Sequence, residues 1–280
     1  MKFLREKFAD KENYLATFLG TNNTLLELDK TGRIDEDIKR RFVEQFTAHL
    51  VKQEVVKPEL IESLNDSNPW SVDFPSWTGE FNEERGKRFM IIGAEPHIHF
   101  PYVQTVYQFN GEKTPESFLN AHPIFNFLSE VLASRFQISR TEALLDCYLT
   151  DLFPLGPLRG NGLHVGSAEK IQTAIGEAGN WRELRLRYAS TGLKPEIAGV
   201  KPEVIITQGK DVLMEVIAAL GIKSEITHSF VKPSTGRGQY IRKVMYDGIP
   251  VISVPHLGSR RIRTFWQKNL EQIKIAFQQI

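Results

Sequence analysis

Two titratable side chains stand directly after apolar, strand-like segments that lie about 160 residues apart in the sequence. Glu95 follows the segment 90–93 and His256 follows the segment 251–254, each within a short turn that contains proline. The carboxyl ends of parallel strands meet at one edge of a sheet, where the ligand sites of α/β proteins form. Carboxylates and imidazoles are the side chains that most often carry acid–base catalysis. We therefore predict an enzyme that acts on a group held between Glu95 and His256.

The elements that must position these residues follow an alternating α/β pattern. Apolar strand-like segments alternate with segments of helical periodicity, which favours a mostly parallel sheet covered on both faces. We predict an α/β fold, a three-layer α/β/α sandwich with a mostly parallel central sheet. The predicted strands are 88–92, 143–152, 204–207 and 249–254, and the predicted helices are 115–136, 167–189 (one or two helices), 211–220 and 261–277.

The first 80 residues are predicted to form a helical N-terminal extension packed on an α/β domain of residues 81–280. Apolar residues from Ile38 to Leu50 recur every four positions, which predicts a helix over residues 34–51. Residues 66–79 combine two tryptophans with several turn-forming residues. We expect this segment to be an irregular loop packed on the body of the protein.

Composition places the chain among ordinary globular proteins. It has 280 residues and a formal net charge of +1, with no apolar run of about 18 residues that would predict a membrane span. Its single cysteine, Cys147, excludes an internal disulfide and a cysteine-ligated metal cluster. The first residues mix charged and apolar side chains and do not resemble a signal peptide. We expect a cytoplasmic monomer.

Positive charge is concentrated at the end of the chain. Residues 228–280 contain nine lysines and arginines but only two carboxylates, Asp247 and Glu271. Such an asymmetry is compatible with a polyanionic partner, and equally with a solvated basic helix face.

Short motifs at the predicted strand ends carry a resemblance to a known family. They are Gly93-Ala94-Glu95-Pro96, the aromatic Phe109, Leu149-Thr150-Asp151 and Pro255-His256-Leu257-Gly258-Ser259. In order and spacing these motifs resemble the uracil-DNA glycosylase superfamily over residues 85–275, without the cysteines of its iron–sulfur members. In that family the first turn holds the water-activating group, an aromatic ring stacks on the flipped base, a middle strand end reads the base edge, and the last turn supplies a histidine and a loop that enters the DNA.

The resemblance implies a monofunctional DNA glycosylase, a base-excision repair hydrolase that removes a deaminated or modified base from DNA. Glu95 would orient the attacking water and stabilise the sugar cation, and a neutral His256 would donate a hydrogen bond to the departing base. No metal and no organic cofactor are implied. The residues expected to bind the base are Gly93, Ala94, Pro96, His97, Phe109 and Asp151, and those expected to bind DNA are Leu257, Ser259, Arg260, Arg261 and Arg263.

Asp151 departs from the family pattern, because the uracil-reading members carry asparagine at this strand end. An ionised carboxylate only accepts hydrogen bonds, whereas an amide also donates. Asp151 thus predicts a base with an amino donor, a carboxyl group kept protonated by burial, or loss of glycosylase activity.

Other interpretations of the motifs and of the whole chain stay open. Glu95 is also compatible with a helix-capping role, and His256 with a buried structural role. A non-catalytic nucleic-acid-binding protein of the same fold and a hydrolase of a nucleoside or other small molecule are the alternative functions.

Overall fold

The computed structural model describes residues 44, 48, 51, 70–73, 75–82, 84–94, 123–157, 181–231, 239–255 and 260–279. From residue 70 onward, the described ranges form nine strands and five helices. The strands are β1 (Trp70–Val72), β2 (Ser76–Trp77), β3 (Phe89–Gly93), β4 (Cys147–Asp151), β5 (Leu155–Pro157), β6 (Val204–Gln208), β7 (Thr227–Val231), β8 (Gln239–Tyr246) and β9 (Ile249–Val254). The helices are α1 (Pro123–Phe136), α2 (Arg140–Leu145), α3 (Trp181–Val200), α4 (Lys210–Leu220) and α5 (Arg260–Gln279).

Seven of these strands form one sheet in the order β2-β4-β3-β6-β9-β8-β7. The β3–β6 and β6–β9 pairs are parallel, and β8 is antiparallel to both β9 and β7. The amide of Phe89, the first residue of β3, donates to the carbonyl of Asp146, just before β4, at 3.0 Å. Because the two strands start side by side, β4 also runs parallel to β3. The predicted α/β fold with a mostly parallel central sheet is confirmed.

The central strands are apolar because protein covers both of their faces. Every residue of β3 and β4 is buried, and so are the first four residues of β6. Strands buried on both faces have continuous apolar sequences without alternation, as in the predicted three-layer arrangement. Helix α4 packs on β6 and β9. Its buried residues, among them Val212, Val216 and Ala219, recur every three to four positions and so form one buried side of the helix. The strands and helices predicted at 88–92, 204–207, 211–220, 249–254 and 261–277 are confirmed to within two residues.

The strand predicted over residues 143–152 is wrong in its first three residues, which belong to α2. Ser139 and Glu142 form a reciprocal capping box at the start of this helix. The Glu142 amide donates to the Ser139 hydroxyl at 3.1 Å, and the Ser139 amide donates to the Glu142 carboxylate at 2.7 Å. These bonds satisfy two amides that an uncapped helix end leaves free. The strand begins only after Asp146.

Two further strands, β7 and β8, lie in a region for which no strand was predicted. A two-residue turn, Asp247-Gly248, joins β8 to β9, and both residues have positive φ angles of 47° and 84°. Positive φ at both central positions is the geometry of a type I′ hairpin turn, which Asp-Gly sequences favour. The parallel part of the sheet is therefore extended by an antiparallel hairpin.

The described residues fall into two compact units. The first contains the described residues up to Ser76, together with 94, 150–157 and 181–199, and the second contains the others. In the first unit β1 pairs antiparallel with β5, and Phe153 contacts Tyr188 of α3 edge-on, with ring centroids 5.4 Å apart. The segment 66–79, predicted to be an irregular loop, contains β1 and β2 instead, because its tryptophan residues lie in short paired strands.

In the second unit the C-terminal helix α5 packs against helix α1, which comes from the middle of the sequence. Helix α1 packs against α2 and α5, and the rings of Phe127 and Trp266 approach to 4.2 Å between centroids. Lys274 of α5 forms an ion pair with Glu130 of α1 at 3.3 Å. The described part of the predicted buried face of α1 is confirmed, with Phe125, Leu128, Val131 and Leu132 all buried. None of the described helices is long and apolar enough to cross a membrane.

Most of the predicted N-terminal extension falls outside the described residues. Glu44, Ala48 and Val51 are helical, in agreement with the helix predicted over residues 34–51. Residues 115–122 and 167–180 also fall outside the described residues. The described parts of these two predicted helices lie in α1 (Pro123–Phe136) and α3 (Trp181–Val200), and both are helical. The domain boundary between residues 80 and 81 stays a prediction.

Candidate functional site at the carboxyl edge of the sheet

The strands that precede Glu95 and His256 end at the same edge of the sheet. Ile92 of β3 is level with Thr207 of β6, and Gln208 of β6 is level with Val254 of β9. Gly93, Gln208 and Val254 are therefore neighbours at the carboxyl ends of three adjacent parallel strands. The sequence expectation that two catalytic turns start from one edge is met as far as the strand ends.

The strand order places a crossover reversal at this edge. From β3 the chain continues to β4 on one side of β3 and later returns to β6 on its other side. A reversal of this kind leaves a crevice at the carboxyl ends of the two strands, where ligands of open α/β sheets bind.

Gly209, in the turn after β6, forms a backbone hydrogen bond to the end of β9. Its amide lies 2.7 Å from the carbonyl oxygen of Val254 and 3.1 Å from that of Thr207. Its φ of 101° lies in a region that residues with a Cβ rarely adopt. Helix α4 starts at the next residue, so the partial positive charge of its amino end lies at the carboxyl edge.

Two hydroxyl groups lie buried in the last turns of the central strands. Thr207 is level with Ser253 across the β6–β9 pair, and both residues are at most 1% exposed. In the described part of the chain no hydrogen-bond partner is found for the Thr207 hydroxyl. The sequence signal for these residues is a hydroxyl within an apolar run, as in Val-Ile-Ile-Thr and Val-Ile-Ser-Val.

Asp151 is the last residue of β4 and is buried, with 8% of its surface exposed. It lies where the sequence predicts the residue that reads the base edge. As the last residue of β4, Asp151 stands at the carboxyl end of its strand, and its role in reading a base stays a prediction. Gly93 is also buried, and Ala94 is half-buried.

Several predicted site residues lie outside the described residues, including both catalytic candidates. They are Glu95, Pro96, His97, Phe109, His256, Leu257 and Ser259. The backbones of Arg260, Arg261 and Arg263 form the start of α5, and their side chains are not among those described. Within the described ranges, no group of three or more histidine, cysteine, aspartate or glutamate side chains is arranged to hold a metal ion.

A second polar cluster lies at the opposite, amino edge of the sheet. The Arg85 guanidinium binds both carboxylate oxygens of Asp146 at 3.0 Å, and the Lys87 ammonium donates to the carbonyl oxygen of Leu145 at 2.8 Å. Burial lowers the pKa of Lys87 to about 8 and raises the pKa of the Cys147 thiol to about 12. These residues tie the starts of β3 and β4 together, far along both strands from the carboxyl edge, so we assign them a structural role.

No protein-family model matches the chain, and no curated protein matches its sequence.

Proposed function

We propose that the chain is a monofunctional DNA-glycosylase-like hydrolase that removes a deaminated or otherwise modified base from DNA by attack of water on the N-glycosidic bond. One observation carries the proposal. The strands leading to Glu95 and His256 end at one edge, separated only by β6. Two strand spacings amount to about 10 Å between the backbones of Gly93 and Val254, a separation comparable to the size of a planar base with one side chain on each side of it.

The chemistry needs two groups of different character. Cleavage of an N-glycosidic bond builds positive charge on the sugar and negative charge on the departing base, comparable to the oxocarbenium-like charge of glycoside hydrolysis. Glu95 as a carboxylate orients the water and stabilises the sugar cation. His256 as a neutral imidazole donates a hydrogen bond to a base carbonyl.

Asp151 determines which hydrogen-bonding groups we expect on the edge of the target base. A buried ionised carboxylate accepts two or more hydrogen bonds and repels a carbonyl oxygen. A base that presents an amino group to Asp151 satisfies this carboxylate, whereas uracil presents one N–H beside a carbonyl. The proposal therefore favours a modified base with an amino donor as the target of the wild-type protein.

Asp151 also favours the second candidate, a nucleic-acid-binding protein of the same fold without catalysis. Replacement of the amide that reads the base removes an interaction on which uracil recognition depends in the family. The basic composition of residues 228–280 fits this candidate as well as the first.

Base release from defined lesions tests the proposal. Duplex and single-stranded oligonucleotides, each with one uracil, hypoxanthine, xanthine, 5-substituted uracil or a lesion that keeps an amino group, such as 8-oxoguanine or 5-formylcytosine, are incubated with wild type, Glu95→Gln and His256→Ala. The matched control is Glu84→Gln, because Glu84 is an exposed glutamate in the turn before β3. We expect release from at least one lesion by wild type and by the control, and loss of release in the two site variants.

The failures of this experiment point to different alternatives. Silence on every lesion together with salt-sensitive DNA binding supports the non-catalytic candidate. Silence together with no DNA binding supports a small-molecule hydrolase. Base release that survives both Glu95→Gln and His256→Ala contradicts the assignment of the catalytic residues.

A further inference from the structure

Over residues 228–231 and 240–242 the β7–β8 hairpin has two faces of opposite character, whereas further along β8 Val244, on the face of Tyr240, is buried. On one face Val231 and Ile241 are buried, with 2% and 0% of their surfaces exposed. On the other face Phe230 and Tyr240 are 48% and 41% exposed. The open face of an antiparallel sheet normally carries polar side chains, so two exposed rings at this place need an explanation.

Three exposed side chains and the half-buried Arg242 form one cluster, which we call the aromatic patch (His228, Phe230, Tyr240 and Arg242). Phe230 and Tyr240 are direct cross-strand partners, and so are His228 and Arg242. The Tyr240 ring centroid lies 4.7 Å from that of Phe230 and 5.4 Å from that of His228. The Arg242 guanidinium carbon lies 5.1 Å from the Tyr240 centroid. Cross-strand pairs of this kind stabilise a hairpin by a few tenths of a kcal/mol to about 1 kcal/mol, which is the simplest explanation of the patch.

Charge around the patch favours a polyanionic ligand. The 20 residues from Thr227 to Tyr246 include four lysines and arginines and no aspartate or glutamate. Exposed aromatic rings interleaved with cationic side chains are the composition of surfaces that bind single-stranded nucleic acid. Bases stack on the rings, and the cations neutralise the phosphates.

The patch lies at the carboxyl edge of the sheet, next to the candidate site. Arg242 of β8 is level with Ser253, close to the end of β9. Because β8 runs antiparallel to β9, Tyr240 lies two residues further, beyond Val254 and level with the start of the turn that carries His256.

We infer that the aromatic patch binds an unpaired segment of DNA next to the target nucleotide, with bases stacked on Phe230 and Tyr240 and a phosphate at Arg242. The patch thereby gives the protein a preference for single-stranded or locally opened substrate. The choice of DNA over RNA rests on the proposed glycosylase function, while the stacking surface itself does not.

Binding of a labelled 12-nucleotide oligothymidylate to the full chain, followed by fluorescence anisotropy, tests the inference without any base release. Phe230→Leu and Tyr240→Leu remove a ring but keep an apolar side chain. Each is expected to weaken binding about fivefold or more, the lower end of the range for loss of one base–aromatic stack. Arg242→Gln is expected to reduce the dependence of log K on log salt concentration by about 0.7.

Two controls separate stacking from folding. Met245→Ala changes an exposed apolar residue (41% exposed) on the opposite face of β8 and should leave binding unchanged. Phe230→Trp and Tyr240→Phe keep a ring and should retain binding. Binding that survives both leucine variants overturns the inference, and so does loss of binding in Met245→Ala to the same extent.

Other results identify a different occupant or separate the two proposals. Tighter binding of the matching RNA oligonucleotide, or self-association that the leucine variants abolish, overturns DNA as the ligand. Ring-dependent binding without base release contradicts the proposed catalysis and leaves the patch intact. Base release without ring-dependent binding overturns the patch alone.

Discussion

Gly86 is the position where the structure predicts the sharpest loss of stability from a single methyl group. Its φ is +71°, and a Cβ atom there would lie 1.9 Å from the carbonyl oxygen of Val200, a backbone atom. That oxygen accepts the Lys87 amide at 2.8 Å, and the Gly86 amide itself donates to the carbonyl of Asn82 at 2.6 Å. Gly86→Ala must therefore move backbone and weaken the hydrogen bond just before β3.

Gly221 supplies a matched control, because its φ is +67° but a Cβ there meets nothing within 4 Å. A left-handed backbone costs an alanine about 1–2 kcal/mol at either site. At Gly86 a buried amide that loses its partner adds about 1–3 kcal/mol. We expect Gly86→Ala to lower the free energy of unfolding by about 1–3 kcal/mol more than Gly221→Ala.

Urea unfolding followed by tryptophan fluorescence measures this difference, provided that the two variants have equal m-values. Equal destabilisation by both variants would refute the reasoning, since the close approach to Val200 would then cost nothing.

Three further predictions follow from buried groups. Burial lowers the pKa of Lys87 to about 8, so between pH 8 and the ordinary value of 10.5 the unfolded chain binds more protons than the folded chain. In this range the free energy of unfolding of the wild type should rise with pH, by at most about 1.4 kcal/mol per pH unit, relative to that of Lys87→Met. A difference between the two proteins in urea unfolding that does not change with pH would contradict this. Burial raises the pKa of Cys147 to about 12, so the thiol should resist iodoacetamide at pH 8 until urea unfolds the protein; modification at the rate of a free thiol would contradict its placement. Asp151→Asn should raise uracil release relative to wild type, because the amide both donates and accepts; a folded variant with no gain on uracil would contradict the role of Asp151 in reading the base.

The central parallel strands were predictable because their sequences carry no competing signal. The runs 89–93, 204–208 and 249–254 are short, apolar and bounded by glycine or by polar residues, and strands buried on both faces have this composition. The start of α2 was missed although Ser139 and Glu142 have capping-box spacing, because the apolar residues from Ala143 to Leu149 form a run long enough to suggest a strand. Here a local hydrogen-bond signal prevails over hydrophobicity.

The hairpin of β8 and β9 shows a signal that was present and overlooked. Asp247-Gly248 between two strand-like segments is a strong short-range indication of a hairpin, and the structure has that turn. The strand order, by contrast, depends on pairings between distant segments, such as β3 with β6, and no local pattern encodes it. The strand ends of the candidate site were therefore predictable one by one, and their position at a crossover reversal was not. The roles of Glu95 and His256 stay predictions.

The most direct test of the central claim is single-turnover release of a modified base by excess wild-type protein, compared with Glu95→Gln on the same oligonucleotide. The lesion is the one that wild type releases fastest, and the proteins are purified from a host that lacks uracil-DNA glycosylase. Removal of a water-activating carboxylate should slow release by about 10²-fold or more, the range for general acid–base catalysis, while DNA binding is retained. Equal rates for the two proteins would contradict the claim that Glu95, delivered by the end of β3, activates the attacking water.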